Sequence, residues 1–378
     1  MLLTFLVAIF IRPFVSSPAF PYLNFAFSLV FLIFLGAYFI YKKAYLLDPR
    51  SLFYPILLFI FALFISLVFS QDKINSSVQL YKYLTGLLLF FVVASLSKRE
   101  RISVVRTITL AGLIISLLAI YQYFFGFKHL ADYLANSKSL FPFVLDYLQS
   151  RRVFAPFVTP GILGGYLAMV IPLFFINKDR SWLFPVVFFA LFLTRSLGAF
   201  LSLFFGLIVY FCLQGRFKKR AIFYLLGIFM FMVIIFILRS APYRQHTQPF
   251  FSMIMRLNYW KDAFEIIKRH PLVGVGLGNF NLKFSRYAHN SYIQIWAEMG
   301  ILGLCAFIWV IYTTLTTSLK NLTKSPNRSQ DVYLFIAGII FLIHNFLDFT
   351  FFLPEVVFIW WIILGLMVDP NREDALQP

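Results

Sequence analysis

The sequence has few of the residues from which disulfide frameworks, metal sites and two-carboxylate active sites are built. Its only two cysteines, Cys212 and Cys305, lie inside apolar segments, so neither a disulfide framework nor a thiolate metal site is expected. Acidic residues number 15 against 33 lysines and arginines. The acids of the long hydrophilic segments are scattered at Asp132, Asp146, Asp262 and Glu265. Divalent metals usually need clustered oxygen ligands, and glycoside hydrolysis needs a close carboxylate pair, so both chemistries are disfavoured.

What the sequence has in excess is apolar surface. Hydrophobic residues make up 61% of the 378 positions, 51 of them phenylalanine, and only 13% are charged. The mean hydropathy is +0.84, whereas soluble domains are only about half apolar. The formal charge of +18 could suit nucleic acid, but the cations lie in loops between apolar segments. The composition therefore predicts an integral membrane protein with no nucleic-acid partner.

The apolar segments are long enough for helices, so we expect an all-α polytopic membrane protein with about twelve transmembrane helices. Residues 1–378 form a single integral membrane domain in this interpretation. The first segment lacks the basic region and cleavage site of a signal peptide, and is either a short span or part of a re-entrant hairpin. The segments lie at 2–14, 22–41, 53–70, 80–97, 102–125, 155–176, 181–194, 197–214, 221–238, 290–317, 332–346 and 355–368.

Orientation follows from the pattern of lysine and arginine rather than from their number. One set lies in tight turns between spans, which is typical of cytoplasmic loops. The other set is concentrated in two long loops, 127–154 and 239–288, which are then extracytoplasmic. The longer of these carries eight cations and only two acids, against the usual tendency. An anionic substrate is the most natural reason, so we expect this loop to cap the active site.

Within the longer loop, residues 253–269 have helical periodicity. Leu257, Trp260, Phe264 and Ile267 recur at intervals of three and four residues, and Lys261, Glu265 and Lys268 occupy the opposite face. The pattern predicts an amphipathic helix that lies on the membrane surface or covers a cavity, and Pro271 ends it.

Three arginines are candidates for holding an anion. Arg256 lies at the edge between the two faces of the predicted amphipathic helix, where it contacts either lipid headgroups or a phosphate. Arg195 lies between two apolar segments with no acid nearby in sequence, so it either snorkels to the interface or meets an anionic ligand. Arg152 precedes an irregular, proline-containing entry to a span, which fits either a site or a plain junction.

Candidates for proton transfer lie at the ends of two later spans. His289 follows the basic loop and precedes Asn290, and a histidine near neutrality can accept a proton from a hydroxyl. His344 and Asp348 form a second polar set, with either an orienting or a structural role. The glycine-rich stretch at 274–278 has no preceding strand and no following Walker lysine, so we interpret it as a flexible turn that allows close backbone approach.

Taken in order, these segments resemble the O-antigen ligase/polymerase superfamily. The resemblance covers roughly residues 150–370. Its motifs here are Arg256-(x3)-Trp260, His270-Pro271-Leu272-Val273-Gly274-Val275-Gly276-Leu277-Gly278-Asn279-Phe280, Ala288-His289-Asn290-Ser291-Tyr292, Glu298-Met299-Gly300-Ile301-Leu302-Gly303, and Thr194-Arg195-Ser196-(x)-Gly198. Leu197 stands where the family often has a second basic residue, so only Arg195 is expected to act from that segment.

The resemblance implies a metal-independent, cofactor-free glycosyltransferase in a bacterial inner membrane, with its active site facing the periplasm. Its donor would be a glycan on undecaprenyl diphosphate and its acceptor a hydroxyl of lipid A-core oligosaccharide, among membrane lipids. Arg195 and Arg256 would hold the diphosphate, His289 would act as general base, and Arg152, Lys261 and Asn290 would assist binding. Three alternatives stay open: a polysaccharide polymerase or a protein O-oligosaccharyltransferase of the same superfamily, and a transporter of anionic solutes.

Overall fold

The computed structural model describes residues 1–44, 50–136, 142–215, 219–240, 249–282, 285–324 and 328–368. Over these residues the protein is helical and contains no strand. Short 3-10 or π turns separate several of the helices. The helices are α1 (Leu2–Ile11), α2 (Pro21–Tyr41), α3 (Arg50–Val68), α4 (Lys73–Ala94), α5 (Lys98–Tyr121), α6 (Phe127–Asn136), α7 (Pro142–Gln149), α8 (Pro160–Val170), α9 (Phe184–Thr194), α10 (Leu197–Leu213), α11 (Lys219–Arg239), α12 (Pro249–Arg269), α13 (Ser291–Lys324), α14 (Arg328–His344) and α15 (Pro354–Met367).

The apolar segments of the sequence correspond to helices, which confirms the all-α class. Within the described residues, six helical stretches are long and apolar enough to cross a membrane, and four shorter apolar helices accompany them. A multi-pass membrane protein is therefore supported. The count of twelve spans and the periplasmic position of the loops stay predictions.

Two details differ from the sequence expectation. The segment 127–154, expected to be a loop, begins with α6, and the apolar helical stretch that starts at Lys98 continues through a π turn to Leu134. Helix α4 begins at Lys73, so Lys82 lies on a helix rather than in the loop before it. Both differences have one cause: a helix continues through polar residues wherever its neighbours bury one face.

Contacts divide the chain into two compact units. The first comprises Met1–Val104, Asn258–Phe335 and Asn345–Pro378. In this unit α13 packs on α3, α15 packs on α4, and α4 packs on α2. Helix α15 is buried along its whole length, and its Trp361 indole lies where a side chain at Gly86 of α4 would otherwise be. Small residues let helices approach closely in this way, since lipid offers no hydrophobic gain for association.

The second unit comprises Val105–Leu257 and Ile336–His344. Helix α8 packs on α9 and α10, and α10 packs on α11. Gly164 of α8 faces Ser196 and Ala199 at the beginning of α10, and Gly165 faces the ring of His344. These glycines bring α8 close to the segment that contains Arg195. The interpretation of residues 1–378 as one membrane domain stays a prediction.

Candidate functional site

In the second unit, the side chains of Arg152 and Arg195 each bond to a backbone carbonyl close to the other arginine in sequence. Arg152 Nε donates to the carbonyl oxygen of Thr194 at 3.1 Å, and Arg195 Nη1 donates to the carbonyl oxygen of Ser150 at 2.8 Å. The reciprocal bonds connect the end of α9 with the segment after α7. The sequence identified both arginines, and the structure brings them together.

The backbone at Arg195 is strained. Its φ of +50° is left-handed, between the end of α9 and Ser196, the N-cap of α10. A non-glycine residue in this region costs about 1–2 kcal/mol, and such strain is found preferentially at functional sites. Arg151 and His289, beside or within the candidate set, also have positive φ, of +48° and +50°. Three of the four non-glycine residues with positive φ in the described chain are thus candidate residues or their neighbours in sequence.

The charges around Arg152 are dominated by other arginines. Burial lowers the pKa of Arg152 to about 10, the Tyr147 phenol opposes this shift, and the positive charges of Arg195 and Arg256 add to it. The guanidinium also lies 5.7 Å from the centroid of the Tyr147 ring. A pKa of about 10 still leaves Arg152 charged at neutral pH. Among the described residues, the charges that act on Arg152 are thus one phenol and two guanidinium groups, a balance that favours an anion.

Arg256 and Arg239 add two more cations to Arg152 and Arg195 in the second unit. Arg256 is partly buried on α12, and its Nε is buried without a hydrogen-bond partner. Arg239 ends α11 with 8% of its surface exposed, and its Nη2 donates to Ser252 Oγ at 3.2 Å. The charges of Arg152 and Arg256 both act on Arg239. The unit of Val105–Leu257 and Ile336–His344 has fifteen lysines and arginines in its sequence against three aspartates.

In the first unit, His289 lies in an aromatic cluster. Its ring stacks on Tyr259 with centroids 5.6 Å apart, and meets Phe349 edge-on at 4.8 Å. Phe349 in turn stacks on Tyr287 at 4.0 Å, and burial is the largest cause that raises the pKa of the Tyr287 phenol. These contacts orient the imidazole plane. Helix α12, recognised from the sequence, contributes Tyr259.

Asn290 has a structural role that the sequence did not indicate. Its Oδ1 accepts hydrogen bonds from the backbone N–H groups of Tyr292 at 3.0 Å and Ile293 at 3.1 Å, so it caps α13. The next residue, Ser291, donates from Oγ to Asn345 Oδ1 at 2.6 Å. The backbone on the C-terminal side of His289 is therefore held by two amide side chains. A contact of Asn290 with substrate stays a prediction.

A second chain of hydrogen bonds holds the N-terminal side of His289. The backbone N–H of Ala288 donates to Gln294 Oε1 at 3.2 Å, and Gln294 Nε2 donates to Glu298 Oε1 at 2.9 Å. The other oxygen of Glu298 accepts from the backbone N–H of Gly278 at 2.8 Å. Glu298 is 2% exposed, and both of its oxygens are satisfied. We name Ala288, Gln294, Glu298 and Gly278 the carboxylate–amide chain.

The glycine-rich stretch is fastened to α13 rather than free to move. Helix α13 bends at Gly300, where φ is +66°, and the carbonyls released near the bend accept from the stretch. The N–H of Val275 donates to Ala297 O at 2.9 Å, and that of Gly276 donates to Glu298 O at 3.0 Å. A side chain at Gly274 would collide with the Glu298 backbone. Close backbone approach is thus confirmed, whereas the flexibility expected from the sequence is not what these bonds indicate.

The remaining candidates have different surroundings. Lys261 is exposed on α12. His344 is buried against Gly165, and Asp348 Oδ1 accepts from the N–H of Phe349 at 2.8 Å. Two further cations of the basic loop, Arg244 and Lys283, lie outside the described residues.

Sequence reasoning missed two cations of the first unit, the buried Arg12 and the half-buried Lys82. Arg12 is 1% exposed, donates to Asn24 Oδ1 at 2.6 Å and lies 3.7 Å from Glu355. Lys82 lines a small cavity together with Glu298 and donates to Phe352 O at 3.4 Å. Ionisable residues inside apolar segments are the sequence signal for such positions, and both residues lie in segments expected to be apolar, 2–14 and 80–97.

The described residues offer no ligand set for a metal ion. Among the described residues, no three His, Cys, Asp or Glu side chains come close enough to hold one. The expected independence of a metal stays a prediction.

The helices, the arginines and the fastened histidine together define a class, a polytopic helical membrane protein with a cationic candidate site. Residues 182–308 match the family model described as O-antigen ligase (Wzy_C). The matched range contains Arg195, Arg239, Arg256, Lys261 and His289. The resemblance stated from the motifs is thereby confirmed, and the chain carries the region by which this family is recognised.

Two curated proteins match parts of the chain. The chain is 25% identical to exopolysaccharide production protein ExoQ of Rhizobium meliloti over 139 residues, which is 32% of this chain and 32% of that protein. It is 26% identical to an uncharacterized protein of Haemophilus influenzae over 114 residues, 26% of this chain and 28% of that one. The matched part is about a third of the length of each relative, so a whole-protein activity does not follow from them alone.

Proposed function

We propose that the protein is a lipid-linked glycan transferase of the O-antigen ligase type. It moves a glycan from undecaprenyl diphosphate to a hydroxyl of lipid A-core oligosaccharide, at the periplasmic face of the bacterial inner membrane and without a metal. The observation that carries the proposal is the group of Arg152, Arg195, Arg239 and Arg256 in one unit, of which the last three lie within the region matched to the family. The matched family supports the coarser statement of a polysaccharide-processing membrane enzyme.

The arginines act on the leaving group. The acceptor oxygen forms a bond to the anomeric carbon while the bond from that carbon to the diphosphate oxygen breaks. Negative charge then grows on the diphosphate, and Arg195 and Arg256 stabilise it in place of a divalent cation. A single well-placed donor of this kind contributes about 3 kcal/mol to the transition state. A single displacement inverts the anomeric configuration.

His289 acts on the acceptor. It accepts the proton of the attacking hydroxyl, a role worth about 10²–10⁴-fold in rate. Its stacking on Tyr259 and its edge contact with Phe349 would fix the direction from which it removes the proton. That the arginines and His289 act on one substrate molecule is part of the proposal and comes from the family resemblance.

The test is transfer of a defined undecaprenyl-diphosphate oligosaccharide by the purified protein to lipid A-core acceptor, with and without EDTA. Transfer should be unaffected by EDTA. His289→Ala and Arg256→Ala should each abolish it while the thermal unfolding curve is retained, and Lys268→Gln should match the parent protein. Full activity of either alanine variant, or a strict requirement for Mg²⁺, would refute the mechanism.

A polysaccharide polymerase is the second candidate, because one curated relative is named for exopolysaccharide production. The same reaction mixture separates the two functions. A polymerase extends the carrier-linked glycan when no lipid A-core is added, whereas a ligase leaves the donor unchanged. Uptake of labelled anions into vesicles without glycan transfer would instead indicate a transporter.

A further inference from the structure

Asn345 lies directly after α14, at the beginning of the segment that leads to α15, and is 2% exposed. Its backbone carbonyl accepts from the N–H of Ser291 at 2.9 Å, and its Oδ1 accepts from Ser291 Oγ at 2.6 Å. Ser291 is the first residue of α13 and lies two residues after His289. The chain just after the proposed general base is thus bonded twice to Asn345.

The same side-chain oxygen also holds the turn that carries an aromatic neighbour of His289. Asn345 Oδ1 accepts from the N–H of Phe351 at 2.8 Å and from Thr350 Oγ1 at 3.2 Å. The residue before Thr350 is Phe349, whose ring meets the imidazole edge-on with centroids 4.8 Å apart. One oxygen atom therefore joins the backbone beside the imidazole to the turn that supplies one of its aromatic contacts.

The backbone of His289 needs such support. Its φ of +50° is left-handed, a conformation that is costly for a residue with a Cβ and that persists only where neighbouring contacts impose it. Without the bonds to Ser291, the backbone is free to relax toward an ordinary conformation, and the imidazole turns with it. A displacement of about 1 Å in a catalytic group can lower a rate about 100-fold.

We propose that Asn345 is the positioning residue for His289. It holds both the strained backbone and the turn that carries Phe349, and so sets the direction in which the imidazole nitrogen meets the acceptor hydroxyl. Asn345 itself does not touch substrate. The inference rests on the proposed function, in which His289 accepts the proton. Loss of Asn345 should therefore lower kcat and leave KM unchanged, because substrate binding does not depend on the direction of the imidazole.

The first measurement needs no glycan transfer. Diethyl pyrocarbonate modifies accessible imidazoles, and mass spectrometry of the full-length protein in detergent gives a modification rate for each histidine. His289 is partly exposed, and the exposed His129 of α6 serves as internal standard. Asn345→Ala should raise the modification rate of His289 several-fold and leave that of His129 unchanged. Ser291→Ala, which removes one of the bonds, should produce a smaller rise at His289.

Steady-state glycan transfer is the second measurement. Asn345→Ala should lower kcat about 10- to 100-fold, with KM changed by less than about twofold. Asn345→Asp retains an acceptor oxygen and should recover most of kcat. Phe349→Leu removes the edge contact with the imidazole. Combined with Asn345→Ala, it should lower kcat little beyond the larger single effect, because both changes act through the same imidazole.

Asn24→Ala is the matched control, since Asn24 is another buried asparagine of the first unit and bonds to Arg12 and Tyr81. It should lower the unfolding temperature but change neither kcat nor the modification rate of His289.

An unchanged modification rate of His289 in both Asn345→Ala and Ser291→Ala would overturn the inference, and Ser291→Ala decides alone if Asn345→Ala does not fold. Losses of kcat that multiply in the double variant with Phe349→Leu would also overturn it. The outcome is separable from that of the proposed function. Faster modification in a protein that transfers no glycan would retain the link between Asn345 and His289 and remove the reaction. Glycan transfer with unchanged modification rates would do the reverse.

Discussion

The two units solve the problem of buried charge in opposite ways. In the first, two buried charges have partners inside the protein: Glu298 accepts two hydrogen bonds, and Arg12 lies beside Glu355. In the second, the charges that act on Arg152 are other guanidinium groups and the Tyr147 phenol. Satisfied polar networks give rigidity, whereas unneutralised charge creates affinity for an external ion. The first unit is therefore suited to hold a base in place and the second to bind an anion.

The largest expected effect is on glycan transfer, from a substitution of Arg195 in the second unit. Arg195→Ala should lower the rate of glycan transfer about 10²–10³-fold, as for other lost charge-stabilising donors. The physical reason is that its guanidinium acts on charge that develops only in the transition state. The unfolding temperature should fall only slightly, because a single hydrogen bond, to Ser150 O, is lost. Steady-state turnover and thermal unfolding of the same preparation provide the measurement. Unchanged turnover would exclude Arg195 from the reaction, and a large fall in unfolding temperature would assign it to the fold.

Substitutions in the carboxylate–amide chain of the first unit should instead lower the stability of the fold. Glu298→Leu leaves the N–H of Gly278 and the amide of Gln294 without acceptors, at a cost of about 1–3 kcal/mol for each buried group. We expect a clear fall in unfolding temperature, measured in detergent, together with reduced turnover. Glu298→Gln retains one acceptor oxygen and should lose about half as much stability. If Glu298→Leu unfolds like the parent protein, this chain does not hold the loop.

Two matched glycine substitutions test, with a smaller expected effect, whether the glycine-rich stretch at 274–278 is held by its contacts. Gly278 has a φ of +71° and faces the side chain of Gln79, whereas Gly227 of α11 has open space around it. Gly278→Ala should destabilise by about 1–2 kcal/mol, because an alanine strains the left-handed backbone. Gly227→Ala should be neutral or stabilise by about 0.5–1 kcal/mol. Thermal unfolding of the two variants side by side checks the difference, and equal curves would contradict it.

The smallest effect is expected at the surface of α12. Lys268 Nζ lies 2.8 Å from Glu265 Oε1, and both side chains are more than half exposed. Solvent screens such a pair, so Lys268→Gln should leave both unfolding temperature and turnover unchanged. A measurable loss of turnover would mean that exposed cations of α12 contribute to substrate binding, which would extend the cationic site beyond the second unit.

The sequence predicted the helices well because their signals are local. Amphipathic periodicity and a following proline located α12, which extends from Pro249 to Arg269. A cation without an acid nearby in sequence pointed to Arg195, and an irregular, proline-containing entry to a span pointed to Arg152. The structure connects both through backbone carbonyls. These predictions needed only spacing and charge.

What the sequence could not supply depends on contacts between distant residues. Arg239 is buried at the end of α11, and it bonds to Ser252, thirteen residues further along the chain in α12. The link from Gly278 to Glu298 spans twenty residues, and it turns an apparently flexible stretch into a fixed one. Asn290 was selected as a binding residue by its place in a motif, yet its side-chain oxygen caps a helix.

The left-handed backbone at Arg195 and His289 has a consequence for engineering. At a positive φ, glycine is the residue that relieves strain, so Arg195→Gly and His289→Gly are expected among variants selected only for yield or heat resistance. Such a screen would enrich well-behaved proteins that have lost the groups proposed for catalysis. Selection for robustness in this protein should therefore be coupled to a readout of glycan transfer from the first round.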